Sequence, residues 1–357
     1  MKKVYPPFTC KSTPQFSELL YNLNCSIALS TYQANKLILL SAKDEESIIQ
    51  LPRHFDNIMG IAQNDKGNKL ALACRDVVQV FANDPQLAEH YPKAPKKYDA
   101  LFMPRMTYHT GALDIHDISF GYNEELYAVN TLFSCLMRLD SDYNFRPYWK
   151  PSWIERIASE DFCHLNGMAM LNGKPKYATA FNQGRTRQSW KQDMTKTGVI
   201  IDVDTNEVIC EGLAMPHTPR VFDEKLYTLL SATGELICID PDNKNYSVVA
   251  NLNGFVRGMD LIDDYLFVGI NKIRKKSSSF GHISFPKGSN QAAIVALHLP
   301  TGSIVGKLTY QNSVDEIYDI HVLNNLTRPN VLNTDKEIHK AGLSIPGQSF
   351  WGVVNEA

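Results

Sequence analysis

His116, His164 and His217 each sit in a short phrase that reads as the entry to a β-strand: IHDISFG, HLNGMAML and MPHTPR. Three neutral imidazoles suit Zn²⁺, Mn²⁺ or Fe²⁺, and three protein ligands with one open position is the usual form of a catalytic rather than a structural centre. Such a divalent metal would acidify a bound water or polarise a substrate oxygen. Around these ligands the same reading collects Arg257 as an anion clamp, Glu316 as a general acid or base, and Asn166 as a further catalytic group. Arg220, Arg185, Arg187, Lys272 and Asn57 are expected to bind substrate. Proline cannot donate to a sheet ladder, so Pro216 and Pro219 around His217 fit only a strand start or edge. That is where a channel-facing imidazole would be held.

Residues so far apart in sequence meet only if a repeated architecture brings them together. Short runs with period-two alternation recur along the chain without long amphipathic helices, which predicts an all-β fold. One phrase repeats six times, starting near residues 57, 114, 164, 215, 255 and 316, with NIMGIAQN as the first copy and IYDIHVL as the last. Second strands follow as KLALAC, ELYAVN, PKYATAF, KLYTLLS and YLFVGIN, and third strands as VVQVFA, CLMRLD, GVIIDVD, ELICIDP and AIVALHL. The spacing is that of a four-stranded propeller blade. The sixth copy lacks its later strands, and residues 25–52 (CSIALSTY, KLILLSA, SIIQLP) supply them. The whole chain, 1–357, therefore reads as a single six-bladed β-propeller domain closed by N-terminal strands pairing with the last blade, with 325–357 as a C-terminal tail. Closure removes exposed sheet edges.

Aligning the copies puts Gly60, Asp117, Gly167, Thr218, Gly258 and Asp319 in one column, with Met59, His116, Asn166, His217, Arg257 and Tyr318 just before it. Two residues further back stand Asn57, Asp114, His164, Met215, Phe255 and Glu316. Strand periodicity predicts that these last two columns share a face at the channel mouth. Insertions at 84–111, 141–162, 183–198 and 271–291 are expected on the same side, where loops on a rigid scaffold build sites. Two are basic (Arg185, Arg187, Lys191, Lys196; Lys272, Arg274, Lys275, Lys276), which favours an anionic ligand. Trp149, Trp153 and Trp190 are candidates to stack on a sugar, although FRPYWKPSWIER is expected to pack as a lid.

A hydrophobic share of 44%, a charged share of 21% and a net charge of −2 do not suggest a nucleic-acid-binding protein. No apolar run approaches a membrane span, so the expectation is a cytoplasmic protein with neither nucleic acid nor membrane as partner. Seven scattered cysteines without a CxxC pair argue against a disulfide framework or a thiolate zinc site. P-loop, GxGxxG, GxSxG and HExxH signatures are absent.

The phrases HDISFG, LYAVNTLFSCL, CHLNGMAM, MPHTPR, GFVRGMDL, VGINKIR and VDEIYDIHVL resemble a bacterial family of conserved hypothetical proteins without assigned function, over 114–329. HLNG followed by MPH[ST]PR carries the specificity of the match. The resemblance implies a six-bladed propeller, and it carries over His116, His164, Asn166, His217, Arg220, Arg257, Glu316 and Asp319. It implies no reaction. The residues themselves point to a metal-dependent lyase or hydrolase acting on a small anionic molecule or acidic saccharide at the channel mouth. The alternative is a non-catalytic propeller that binds an anionic ligand or a protein partner.

Overall fold

The alternating apolar runs become strands that pair as the repeat requires. The computed structural model describes residues 5–273, 280–281, 283–286 and 290–353. Blade 1 runs outward from Ile61–Gln63 through Lys69–Ala73 and Val77–Asn83 to Ala100–His109, and blade 2 from Ile115–Phe120 through Leu126–Asn130 and Cys135–Arg138 to Arg146–Trp149. Blades 3, 4 and 5 start at Leu165–Leu171, Pro216–Phe222 and Phe255–Ile262. Blade 6 has Ile320–Asn324 innermost, and its outer strands are Cys25–Thr31, Lys36–Ala42 and Ile48–His54. Cys25 pairs with Asn324 and Leu29 with Ile320, antiparallel, so the N-terminal strands close the last blade as the repeat predicts. Each innermost strand touches the next, and that of blade 6 touches that of blade 1, which completes a ring.

Because every blade is covered on both faces, its central strands are apolar throughout: Leu37 to Leu40 are all buried. Cores lie between neighbouring blades, as where Phe162, Leu165 and Ala178 of blade 3 meet Tyr127, Val129 and Leu136 of blade 2. Burying each large aliphatic side chain contributes about 1.5–3 kcal/mol. Segments outside the repeat protect outer edges. Cys10–Ser12 adds to the outer strand of blade 5, and Pro329–Val331 pairs in parallel with the outer strand of blade 1. Beyond it the hairpin Gly342–Ile345/Gln348–Trp351 sits on the helix Pro85–Glu89, where Trp351 Nε1 donates to the Leu87 carbonyl at 3.0 Å.

The inner strands are stapled to one another by the column Gly60, Asp117, Gly167, Thr218, Gly258, Asp319, in which glycine alternates with a side-chain acceptor. Asp117 accepts from the Met168 N–H at 3.1 Å, Thr218 Oγ1 from the Gly258 N–H at 3.1 Å, and Asp319 from the Ile61 N–H at 3.0 Å. Each acceptor thus reaches the next blade at, or one residue beyond, its glycine. The glycines permit the approach: a Cβ on Gly167 would lie 2.4 Å from Pro219 Cδ, and one on Gly258, whose φ is +68°, 2.7 Å from Asp319 Cα. Arg220 crosses this layer, 2.9 Å from Asp117 and 3.8 Å from Asp319.

Two of the predicted mouth insertions are placed differently. Residues 84–99 join the third strand of blade 1 to its fourth, and so emerge on the side opposite the mouth, and Ala100–His109 is that fourth strand. Residues 139–145 make the same connection in blade 2, leaving 150–164 as the part that returns to the mouth. The strands Ala100–His109 and Arg146–Trp149 lack a clean alternating pattern because they are outer strands with exposed residues.

Candidate functional site at the channel mouth

The chain turns sharply as it enters several inner strands. Asn57, Asp114, His164 and Met215 have left-handed backbone, with φ of 44°, 56°, 50° and 59°, a conformation that asparagine, aspartate and histidine tolerate better than most residues. His164 therefore projects from a turn, whereas His116 and His217 belong to the strands that follow such turns. Simple period-two alternation does not describe this arrangement, yet the rings still meet. His116 and His164 pack edge to face with centroids 4.8 Å apart, and His217 lies 6.4 Å from His116. Tyr318 of blade 6 is 5.6 Å from both His116 and His217, and the Arg257 guanidinium of blade 5 stands 5.4 Å from the Tyr318 ring.

These groups frame a cavity of about 760 Å³, lined by His116, His164, Arg257, Glu316 and Tyr318, with Trp190, Phe255, Phe280, Asp114 and Lys272 among its other walls. His164 is the most constrained. Its Nδ1 lies 3.1 Å from Asp161 Oδ2, its backbone N–H donates to Asp161 Oδ1, and its ring is packed between Trp190 at 4.2 Å and Phe181 at 4.7 Å. Trp190 Nε1 donates to the same Asp161 oxygen at 2.7 Å. Burial works against charge on Asp161, but the hydrogen bonds from His164 and Trp190 prevail and hold its carboxyl below the ordinary range. The proton between Asp161 and His164 thus belongs on Nδ1.

His116 Nδ1 is 2.9 Å from the Asp114 carbonyl, which can only accept, so this nitrogen also carries the proton. Burial pushes the pKa of His116 below its usual value and that of His217 well below it, keeping both rings neutral at physiological pH. His217 does not line the cavity, its Nδ1 lying against Thr218 Oγ1 at 2.9 Å and its Nε2 3.5 Å from the Tyr318 hydroxyl. Burial raises the Tyr318 phenol well above its ordinary range, opposed by Arg257.

Arg257 differs from every other cation in the site. Its Nε is buried without a hydrogen-bond partner, and no carboxylate among the described residues pairs with its guanidinium. Its neighbours are the rings of Phe255, Phe280 and Tyr318, at 5.1, 5.6 and 5.4 Å. None of these ring contacts uses an N–H donor of the guanidinium.

The predicted site residues therefore divide. His116, His164, Arg257, Glu316 and Lys272 line the cavity, with Lys272 paired to Asp315 at 2.8 Å, and His217 stands behind Tyr318. Asn166 is fully buried away from the cavity, accepting from Thr179 Oγ1 at 2.7 Å, with its Nδ2 unpartnered. Asn57 does not line the cavity; its N–H donates to Asn35 Oδ1. Arg220 is committed to Asp117 and Asp319. Arg185 lines a separate cavity of about 690 Å³ with Lys196, and Arg187 is exposed outside both cavities. Arg274, Lys275 and Lys276 lie outside the described residues. Trp149 and Trp153 belong to the core between blades 2 and 3, leaving Trp190 as the tryptophan of the cavity. Cys163 is buried, its thiol pushed up by that burial to about 12, which suits a core residue rather than a nucleophile.

Asp161 is the main residue that sequence reasoning missed. Its signal was the Asp-x-x-His spacing to His164, which a left-handed turn closes into a hydrogen bond. A metal is tested by the same geometry. With Nδ1 of all three histidines engaged, Nε2 is the nitrogen left to ligate, but among the described residues no group of three His, Cys, Asp or Glu side chains is spaced to hold an ion. The tris-imidazole centre finds no support in these distances.

No helix among the described residues is long and apolar enough to cross a membrane. No curated protein matches the sequence. Among solved structures, the fold is similar to a chain in the crystal structure of a nidogen/laminin complex, with a TM-score of 0.53 and 10% identity over 84% of this chain and 99% of that one. It is also similar to a protein of unknown function from Bacteroides caccae, with a TM-score of 0.51 and 10% identity over 84% and 98%. At this identity the likeness concerns the fold alone. A family model described as a domain of unknown function, DUF4915, matches residues 14–332, and the chain belongs to that family of six-bladed propellers.

Proposed function

We propose that the protein is a lyase that acts on a small carboxylate-bearing substrate at the channel mouth by acid–base chemistry. The observation that carries this reading is the presence in one cavity of an Asp161-oriented imidazole and a guanidinium that no carboxylate among the described residues pairs with. Arg257 receives the substrate carboxylate and withdraws charge from the adjacent carbon. His164, proton-bearing at Nδ1, takes the proton of that carbon at Nε2, and Asp161 stabilises the imidazolium that results. The C–H electron pair becomes the new carbon–carbon double bond as the β carbon–oxygen bond breaks. The departing oxygen takes the Tyr318 hydroxyl proton, and the phenolate is offset by Arg257 beside its ring. Solvent exchange returns the proton from His164 to Tyr318. Two opposed polar groups at the ends of one cavity, with a phenol between them, are what an elimination needs.

The test uses the full-length protein, treated with chelator, against carboxylate-bearing saccharides, following the ultraviolet absorbance of an unsaturated product. His164→Ala is expected to keep binding and lower turnover by about 10²–10⁴-fold, and Asp161→Asn to lower it with the binding constant little changed. Binding that survives both substitutions without turnover in any sample would identify a non-catalytic platform. Turnover that disappears with the chelator and returns with a transition metal would overturn the metal-free base.

A further inference from the structure

The cavity has a hydrogen-bonding polarity that the reaction uses only in part, at Arg257 and at Nε2 of His164. Its two imidazole walls are acceptors: His116 and His164 carry their protons at Nδ1, directed to the Asp114 carbonyl and to Asp161, and neither Nε2 has a hydrogen bond among the described residues. Both rings are nearly closed off from bulk water, at 7% exposure each. The opposite wall is a donor: Arg257 has no acceptor capacity, and its Nε is unpartnered. One phenol separates them, with the Tyr318 ring centre 5.6 Å from the His116 ring and 5.4 Å from the guanidinium. A single small molecule spans that distance. Trp190 and Phe280 supply flat apolar wall beside it.

We infer that the site selects hydroxy carboxylates, such as sugar acids, whose carboxylate lies on Arg257 while one of their own hydroxyls donates to Nε2 of His116, the imidazole that the reaction leaves unused. This rests on the proposed lyase reading and narrows its substrate. A carboxylate without hydroxyls covers His116 Nε2 and leaves it unsatisfied. A phosphate monoester without hydroxyls brings only acceptor oxygens to that lone pair at neutral pH. Leaving buried acceptors unpaired is what allows a site to reject a close analogue.

Calorimetric titration of the full-length protein with galacturonate, gluconate, cyclohexanecarboxylate and cyclohexyl phosphate tests the inference. At least one of the two hydroxy acids should bind about tenfold or more tightly than cyclohexanecarboxylate and than the phosphate. The methyl ester of that acid should lose the advantage, as should the acid itself with Arg257→Met. His116→Phe, which keeps a ring of similar shape, should weaken the hydroxy acid while leaving cyclohexanecarboxylate unchanged. Equal affinity for cyclohexanecarboxylate or the phosphate, or no binding of either hydroxy acid, overturns the inference. Selective binding without turnover would instead sink the lyase reading and leave the selectivity standing.

Discussion

His116 and Asp117 are neighbours in one inner strand, and Tyr318 and Asp319 stand side by side just before another, yet each pair serves two layers with opposite properties. In the deeper layer every acceptor is engaged: Asp117 with Met168 and Arg220, Thr218 with Gly258, Asp319 with Ile61 and its own strand. In the mouth layer, one residue earlier, Nε2 of His116 has no hydrogen bond among the described residues and Nε of Arg257 is unpartnered. Satisfied polar groups hold six blades in one ring, while unsatisfied ones, held rigid by that ring, are free for a ligand. Buried polar groups without partners are destabilising, so the mouth layer is affordable only on a scaffold that the deeper layer has already closed.

Breaking the deeper layer should have the largest effect. Arg220→Met leaves Asp117 and Asp319 facing each other without their shared cation, and the expected loss is about 3 kcal/mol of stability, read from urea unfolding. Arg257→Met, in the mouth layer, should lower stability far less in the same measurement. A comparable loss from both would erase the distinction between the layers.

A smaller effect comes from pH. Burial raises the Asp319 carboxyl from its ordinary 3.8 up to about 7, against the pull of Arg220. The native state then holds this proton where the unfolded chain has released it. The stability this group contributes is present at low pH, falls as pH rises from 3.8 to about 7, and is level above that. Asp319→Asn should therefore gain stability relative to wild type between about pH 5 and about pH 8. His116 and His217 titrate with the opposite sign, but in both proteins alike, so the difference isolates Asp319. A difference that does not change with pH would show that Asp319 is ionised throughout.

The smallest effect sharpens the boundary of the mouth. Arg187 is exposed and outside the cavity, so Arg187→Ala should leave galacturonate affinity within twofold, about 0.4 kcal/mol. A tenfold loss would extend the site onto the loop at 183–198.

Much of this organisation was legible from one chain because a propeller repeats. The apolar triplet recurs at each inner strand, and the missing strands of the last blade could be found at 25–52, since closure leaves no other partner for them. The column of alternating glycine and acceptor was also visible in the aligned copies. Its meaning was not, because a side chain of one blade bonds the backbone of the next, a contact that no single copy contains. Arg220 illustrates the same limit: its residue type suggested a substrate anion, but two carboxylates from blades 2 and 6 already claim it.

Sequence by itself determined the blade count and the manner of closure, since both follow from the repeated pattern, whereas the meeting of His116, His164 and Arg257 also needs turns that strand alternation does not describe. Tertiary structure decided which polar groups are left over. That outcome depends on distances between blades and on left-handed turns such as those at Asp114 and His164, which set each ring's direction and bring Asp161 beneath one of them. Hydrogen-bond balance is a property of neighbours in space, and a linear sequence lists neighbours only along the chain.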